Sequence, residues 1–168
     1  MTMKNNTCFR GIYLLGLILI VVLLGTAFFL QTFEGMIPCP LCLLQRITMV
    51  MLSIIFLAGT LLKLKKWGNL WLGFSGFLIG ACGILLSGRQ VWLQLSPPVT
   101  SGDCGANLSY LLRALPIQKV IQEVWQGGME CSQTGWEFLH LSLAAWSLVG
   151  FTLLLLLVIV QLIRAAID

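Results

Sequence analysis

The most informative shortage in this chain of 168 residues is charge. Asp, Glu, Lys and Arg together make up 10% of it, while apolar residues make up 58%. Soluble domains carry roughly 25% charge and 45–50% apolar residues, so a water-facing surface cannot be assembled from this composition. Histidine is nearly absent, with His140 alone. Lys63–Lys66 is the longest basic cluster, and no basic stretch is interleaved with aromatics, which sets nucleic acid aside. The glycines at 73, 76, 80 and 83 follow no predicted strand and lie in an apolar run, so they do not read as a dinucleotide fingerprint. Haem attachment in its usual form is excluded, because Leu43 follows Cys42 where a histidine would be required.

What is present in quantity is long apolar sequence. A membrane span needs about 20 apolar residues. Four stretches qualify: about 11–31, about 41–62, about 70–86 and about 139–163. Lipid offers the backbone no hydrogen-bond partners, so all four are expected as helices. The expected fold is an all-α membrane protein of one domain: a four-helix bundle with a long exterior loop over about 87–138. In the third span, Gly76 and Gly80 form a GxxxG, which favours close packing of helices. Within the loop, Ile117, Val120, Ile121 and Val124 recur at helical spacing. Pro116 before them and Gly127 after them bound a short amphipathic helix ending near Trp125.

Orientation is read from the basic residues. Lys4, Arg10, Lys63, Lys65, Lys66 and Arg164 fall on one side, and the rule that basic loops stay inside places that side, with both termini, in the cytoplasm. The first and third connections then face outward.

Six cysteines occur, and parity sorts four of them. Cys39 and Cys42 follow the first span, Cys104 and Cys131 follow the third, so both pairs emerge on one side. That side is the exterior, where disulfides persist. Cys8 falls on the cytoplasmic side and Cys82 within the third span. Cys39-Pro40-Leu41-Cys42 is a Cys-x-x-Cys, a spacing that closes a small and readily exchanged disulfide. Pro40 suits a helix start, which puts Cys42 in the first helical turn, where the positive helix end favours a thiolate. Arg46 follows at i+4 on the same face. An arginine inside a span either snorkels to the headgroups or serves function, and its place beside Cys42 favours function. Cys104 lies in the glycine-containing turn 101–107 and Cys131 follows Gly127 and Gly128, contexts that suit an exchangeable bond more than a structural staple. A zinc site would need Cys104 and Cys131 as further ligands. Their separation of 27 positions, from 104 to 131, is too long for a compact knuckle.

A dithiol that is oxidised repeatedly needs an electron acceptor. With nucleotide and haem sites set aside, an acceptor that diffuses in lipid, a quinone, fits a Cys-x-x-Cys at the mouth of a membrane bundle. The chain resembles the bacterial disulfide bond formation protein B family, DsbB, over nearly its whole length. The resemblance is carried by four spans, Cys39-Pro40-Leu41-Cys42 with Arg46 four residues on, Arg89-Gln90-Val91-Trp92-Leu93-Gln94 after the third span, and the loop cysteines Cys104 and Cys131. It implies a quinone-dependent thiol oxidase in the bacterial inner membrane, with ubiquinone or menaquinone as acceptor. It also implies a soluble periplasmic thioredoxin-fold partner, DsbA-like, that exchanges with Cys104. Electrons would then pass through Cys131 to Cys39 and Cys42, with Arg46, Gln90 and Trp92 beside the quinone. The DsbA–DsbB–quinone chain is known to keep the periplasm oxidising. Two positions depart from the family pattern. Gln45 stands where the best-studied relatives have glutamate, and Gln90 where some have histidine, so two titratable groups are replaced by amides. The alternatives are a paralogue serving another partner, an enzyme of the vitamin K epoxide reductase type, whose Cys-x-x-Cys lies late in the chain, and a scaffold with two structural disulfides.

Overall fold

The computed structural model describes residues 2–33, 39–62, 66–96, 116, 118–119, 125 and 137–167. Cys104, Cys131 and the apolar stripe of the loop helix lie outside the described residues. Four helices dominate: α1, Thr2–Phe33; α2, Pro40–Leu61; α3, Lys66–Leu95; and α4, Leu143–Ile167. A two-residue antiparallel ribbon precedes α4, with β1 (Glu137–Phe138) paired to β2 (Leu141–Ser142). All four helices are long and apolar enough to cross a bilayer. At 1.5 Å per residue the 30 residues of α3 extend about 45 Å, beyond the hydrocarbon core and into both headgroup layers. The helix therefore continues past Leu86, where the apolar run weakens. It carries Arg89, Gln90 and Trp92 as helical residues at its end.

Lipid is as apolar as the side chains, so burial alone does not drive these helices together, and close packing must. α3 lies along α4 and against α2, while α1 packs on α2 and α4. Gly73, Gly76, Gly80 and Gly83 are buried on the α3 face that meets α4. A Cβ on Gly83 would sit 2.3 Å from the Phe151 ring, and one on Gly80 would sit 3.1 Å from Leu155. The small-residue stripe is thus a packing groove, as its GxxxG spacing indicates. The main core joins Tyr13, Ile20, Met49, Leu52, Phe56, Phe151, Leu154 and Val158 from α1, α2 and α4. Leu14, Leu15, Ile18, Val21 and Val22 point outward from α1, as lipid-facing side chains should.

The last helix begins four residues later than the hydropathy run suggests. Leu139 and His140, at φ 54° and 61°, form the two-residue turn of the ribbon, with the twist that hairpins favour. Ser142 then caps α4. Its Oγ accepts the Ala145 backbone N–H at 3.3 Å and donates to Gln94 Oε1 at 2.6 Å, which ties the start of α4 to the end of α3.

The two ends of the bundle differ. At one end, Arg10 Nε donates to the Thr60 carbonyl at 3.0 Å and Lys66 Nζ to the Ala166 carbonyl at 3.4 Å. These are cations on the unsatisfied carbonyls of the α2 and α4 C-termini, where the helix dipole favours them. The Cys-x-x-Cys lies at the opposite end.

Candidate redox centre

Cys39 is the N-cap of α2 and Pro40 opens the helix. With φ −67° and ψ 161°, Cys39 stands just outside the helix, and its sulfur accepts the backbone N–H of Cys42 at 3.4 Å. A cysteine thus takes the part that serine or aspartate usually plays at a helix start. The capping geometry sets the pair: Cys39 Sγ donates to Cys42 Sγ at 3.1 Å. A disulfide requires about 2.05 Å, so closing the bond needs only about 1 Å of movement. Cys39 is buried and Cys42 half-buried, against Leu41, Leu93 and Leu86.

Gln90 reaches this pair from α3. It is 5% exposed, and its Nε2 donates to Cys42 Sγ at 3.0 Å and to Cys39 Sγ at 3.6 Å. Its Oε1 accepts from Gln45 Nε2 at 2.7 Å. Gln45 is equally buried, and its Oε1 accepts from Ser147 Oγ of α4 at 2.9 Å. A continuous polar chain thus runs from α4 through α2 and α3 to the sulfurs, inside apolar spans. Two of its members were missed as site residues from sequence. Gln45 was noted only as a departure from a pattern, and Ser147 was not singled out. Their signal was polarity within an apolar run, which marks function or helix contacts in membranes.

Arg46, one turn along α2 from Cys42, is half-buried and turned toward α1. Its Nη1 donates to Gln31 Oε1 and its Nη2 to the Ala27 carbonyl at 3.2 Å, and its guanidinium carbon lies 5.0 Å from the Phe28 ring centroid. These contacts hold the cation at the α1–α2 seam. Gln31, which supplies one of them, carried no weight in the sequence reading. Trp92 is not brought to the cysteines. It lies two residues, about 200°, around α3 from Gln90 and is 63% exposed. Arg89 points away from the cysteines to Trp125 of the segment between α3 and α4, where its Nε donates to the Trp125 carbonyl at 3.1 Å and its guanidinium carbon lies 5.8 Å from the Trp125 ring centroid. Cys82 is exposed on the outer face of α3. Among the described residues, no group of three or more His, Cys, Asp or Glu could hold a metal ion.

Chemically, the arrangement is a dithiol pair poised for closure, with an amide directed at its sulfurs and a guanidinium one turn away. Residues 9–161 match the family model described as disulfide bond formation protein DsbB. Disulfide bond formation protein B from Hahella chejuensis is 39% identical over 142 residues, covering 84% of this chain and 86% of that protein. The one from Acinetobacter baylyi is 39% identical over 155 residues, 89% of each chain. Disulfide bond formation protein B 1 from Pseudomonas aeruginosa is 35% identical over 157 residues, 94% of this chain and 96% of that protein. No solved structure gives a significant match.

Proposed function

The chain belongs to the DsbB family of disulfide bond formation proteins, a family of membrane thiol oxidoreductases, and from that premise we propose that it oxidises a soluble periplasmic thiol oxidase of the DsbA-like, thioredoxin-fold kind and delivers the electrons to a membrane quinone. The observation that carries the reading is the Cys39–Cys42 pair at the start of a membrane span, with its sulfurs 3.1 Å apart and Arg46 one turn below.

The reaction balances in two exchanges and one oxidation. The partner's dithiol reduces Cys104–Cys131, attacking at Cys104, and leaves as a disulfide. Cys131 then attacks the Cys39–Cys42 disulfide at Cys39, and Cys104 resolves the mixed disulfide, so the loop pair closes again and Cys39 and Cys42 are left as thiols. Closing Cys39–Cys42 again releases two electrons and two protons, which a quinone takes up as quinol. The chain's own contribution is positional. The N-cap geometry holds Cys39 against Cys42, so closing the bond requires little backbone movement. Gln90 presents N–H groups to both sulfurs. Arg46 is anchored on Gln31 and Ala27, and a guanidinium carries more donors than those two bonds use. It can therefore donate to a quinone oxygen at the lipid-facing seam. Phe28, Phe29 and Phe33 are each more than half exposed on α1 and offer aromatic surface along that edge. Donors at an apolar, lipid-open seam suit a ring with two carbonyl acceptors. Trp92, at the far end of α3, flanks the mouth at the height where tryptophan anchors to the bilayer surface.

The bundle's polarity supports the orientation. The end carrying Arg10 and Lys66 faces the cytoplasm and the cysteine end faces the periplasm of an inner membrane. The test uses the purified protein in lipid nanodiscs with ubiquinone or menaquinone and a reduced DsbA-like protein. Quinol should appear in equal number to partner disulfides formed. Partner oxidation without quinol, or no oxidation of the partner, would overturn the reading.

A further inference from the structure

The polar chain that ends at Cys42 can run in two directions with the same heavy-atom positions. In the direction described above, Ser147 donates to Gln45, Gln45 to Gln90, and Gln90 to the sulfur, at 2.9, 2.7 and 3.0 Å. Every link then presents a donor toward Cys42, which matches a sulfur without a proton. Ser147 Oγ also lies 2.8 Å from the Ala144 carbonyl, and one hydroxyl proton cannot serve both acceptors fully. Turning both amides by 180° gives the reverse. The Cys42 thiol donates to Gln90 Oε1, Gln90 Nε2 to Gln45 Oε1, Gln45 Nε2 to Ser147 Oγ, and the Ser147 proton goes to Ala144. Every link in the chain has a donor and an acceptor in that sense too. Buried polar groups are costly when unpaired, so a chain whose links are paired in both senses follows its terminus.

We propose that Gln45 and Ser147 are positioning residues that act through Gln90, forming a reversible amide chain that presents a donor to the Cys42 thiolate and an acceptor to the Cys42 thiol. The chain moves no proton. It changes sense when Cys42 gains or loses one, and none of its members titrates. Among the described residues, few charged groups approach it. Arg46 on α2 is held by Gln31 and Ala27 of α1, Arg89 on α3 is turned to Trp125, and His140 is exposed in the ribbon turn. Among the described residues, the facing segments of α1 (27–33) and α4 (144–147) carry no titratable side chain. The inference rests on the reading of Cys39–Cys42 as a redox pair.

Gln45→Glu tests it, because an ionised carboxylate accepts but cannot donate. Gln90 must then turn its Nε2 to the carboxylate and its Oε1 to the sulfur, the wrong sense for a thiolate. Once protonated, the carboxyl donates again and the original sense returns. The thiol–disulfide equilibrium of Cys39–Cys42 is measured in nanodiscs against a dithiol buffer, in full-length chain carrying Cys104→Ser and Cys131→Ser. The pH is varied from about 4 to about 9, a range that contains ordinary and buried glutamate titrations. Relative to wild type at the same pH, Gln45→Glu should favour the disulfide about tenfold, or about 30 mV, at the alkaline end and not at the acid end. Gln45→Met, which loses the chain without locking it, should show a displacement that does not vary with pH. Ser147→Ala should displace the equilibrium about fivefold, and Ser147→Thr should restore it. The proposal falls if Gln45→Glu and Gln45→Met give the same displacement at every pH, or if Ser147→Thr is as damaging as Ser147→Ala. Should Gln45→Glu fail to fold, the Ser147 pair still decides. No quinone or partner enters this measurement, so its outcome is independent of the quinol assay.

Discussion

Arg46 is the residue on which the proposed chemistry is most exposed to test. Its bonds to Gln31 and Ala27 fix the guanidinium at the seam between α1 and α2, and a planar fork can hold these while donating elsewhere. Arg46→Met keeps helix propensity and apolar fit while removing charge and donors. Quinone reduction should slow at least tenfold with a raised KM for quinone, while exchange between the partner and Cys104–Cys131 stays within a few-fold. Arg46→Lys should be milder, since charge remains while the fork is lost. Stopped-flow measurement of both steps in one preparation separates the outcomes. Equal slowing of both would make Arg46 a fold-supporting residue, and unchanged quinone kinetics would make it a seam anchor. Cys82 provides the contrasting case. It is exposed on the lipid side of α3, away from the paired sulfurs, so Cys8→Ser/Cys82→Ser should retain turnover within a few-fold. A loss as large as that of Cys39→Ser would reveal a further redox pair.

At the scale of elements, the contact between α3 and α4 controls the site, because α3 carries Gln90 and α4 carries Ser147. Its closeness depends on the glycine stripe. Phe151 is fully buried, so its ring cannot move aside for a side chain at position 83. Gly83→Leu should force the helices apart at a cost of about 1–3 kcal/mol or more. The variant should lower the midpoint of unfolding in detergent. It should also weaken Gln90's hold on the cysteines, so quinone reduction should fall even in the folded fraction. Gly25, with nothing within 4 Å of an added Cβ, is the control: Gly25→Ala should be neutral in both measurements. The Ser142 cap belongs to the same joint. Ser142→Ala removes an N-cap worth about 1 kcal/mol together with the bond to Gln94.

The whole molecule has a direction, with basic side chains on helix carbonyls at one end and the sulfurs at the other. If the basic end is cytoplasmic, a membrane-impermeant thiol reagent applied to reduced, intact cells or spheroplasts should label Cys104 and Cys131 and leave Cys8 unlabelled. Labelling of Cys8 from outside would invert the orientation and remove access to a periplasmic partner. With that orientation, Cys131→Ser should trap a mixed disulfide between Cys104 and the DsbA-like protein, visible on a non-reducing gel. An adduct through Cys131 in Cys104→Ser, and none through Cys104, would reverse the order of transfer.

Sequence alone determined the four spans and the start of α2 at Cys39-Pro40. These follow from quantities local to the chain: the length of an apolar run against bilayer thickness, and a proline that cannot sit deep in a helix. The GxxxG was legible for the same reason, since small residues at a fixed spacing mark a groove whichever helix fills it. Tertiary structure decided which neighbour each polar side chain meets. An α-helix places a residue at an azimuth, but the helix found at that azimuth depends on how the whole bundle packs. That is why Gln90 faces the sulfurs while Trp92 faces outward, why Arg46 turns to Gln31 of α1, and why Ser147 joins the chain from the far end of the sequence. The start of α4 was decided in the same way. Hydropathy counts Leu139 with the span, but pairing of Phe138 with Leu141 and the cap at Ser142 hold the first helical turn back to Leu143.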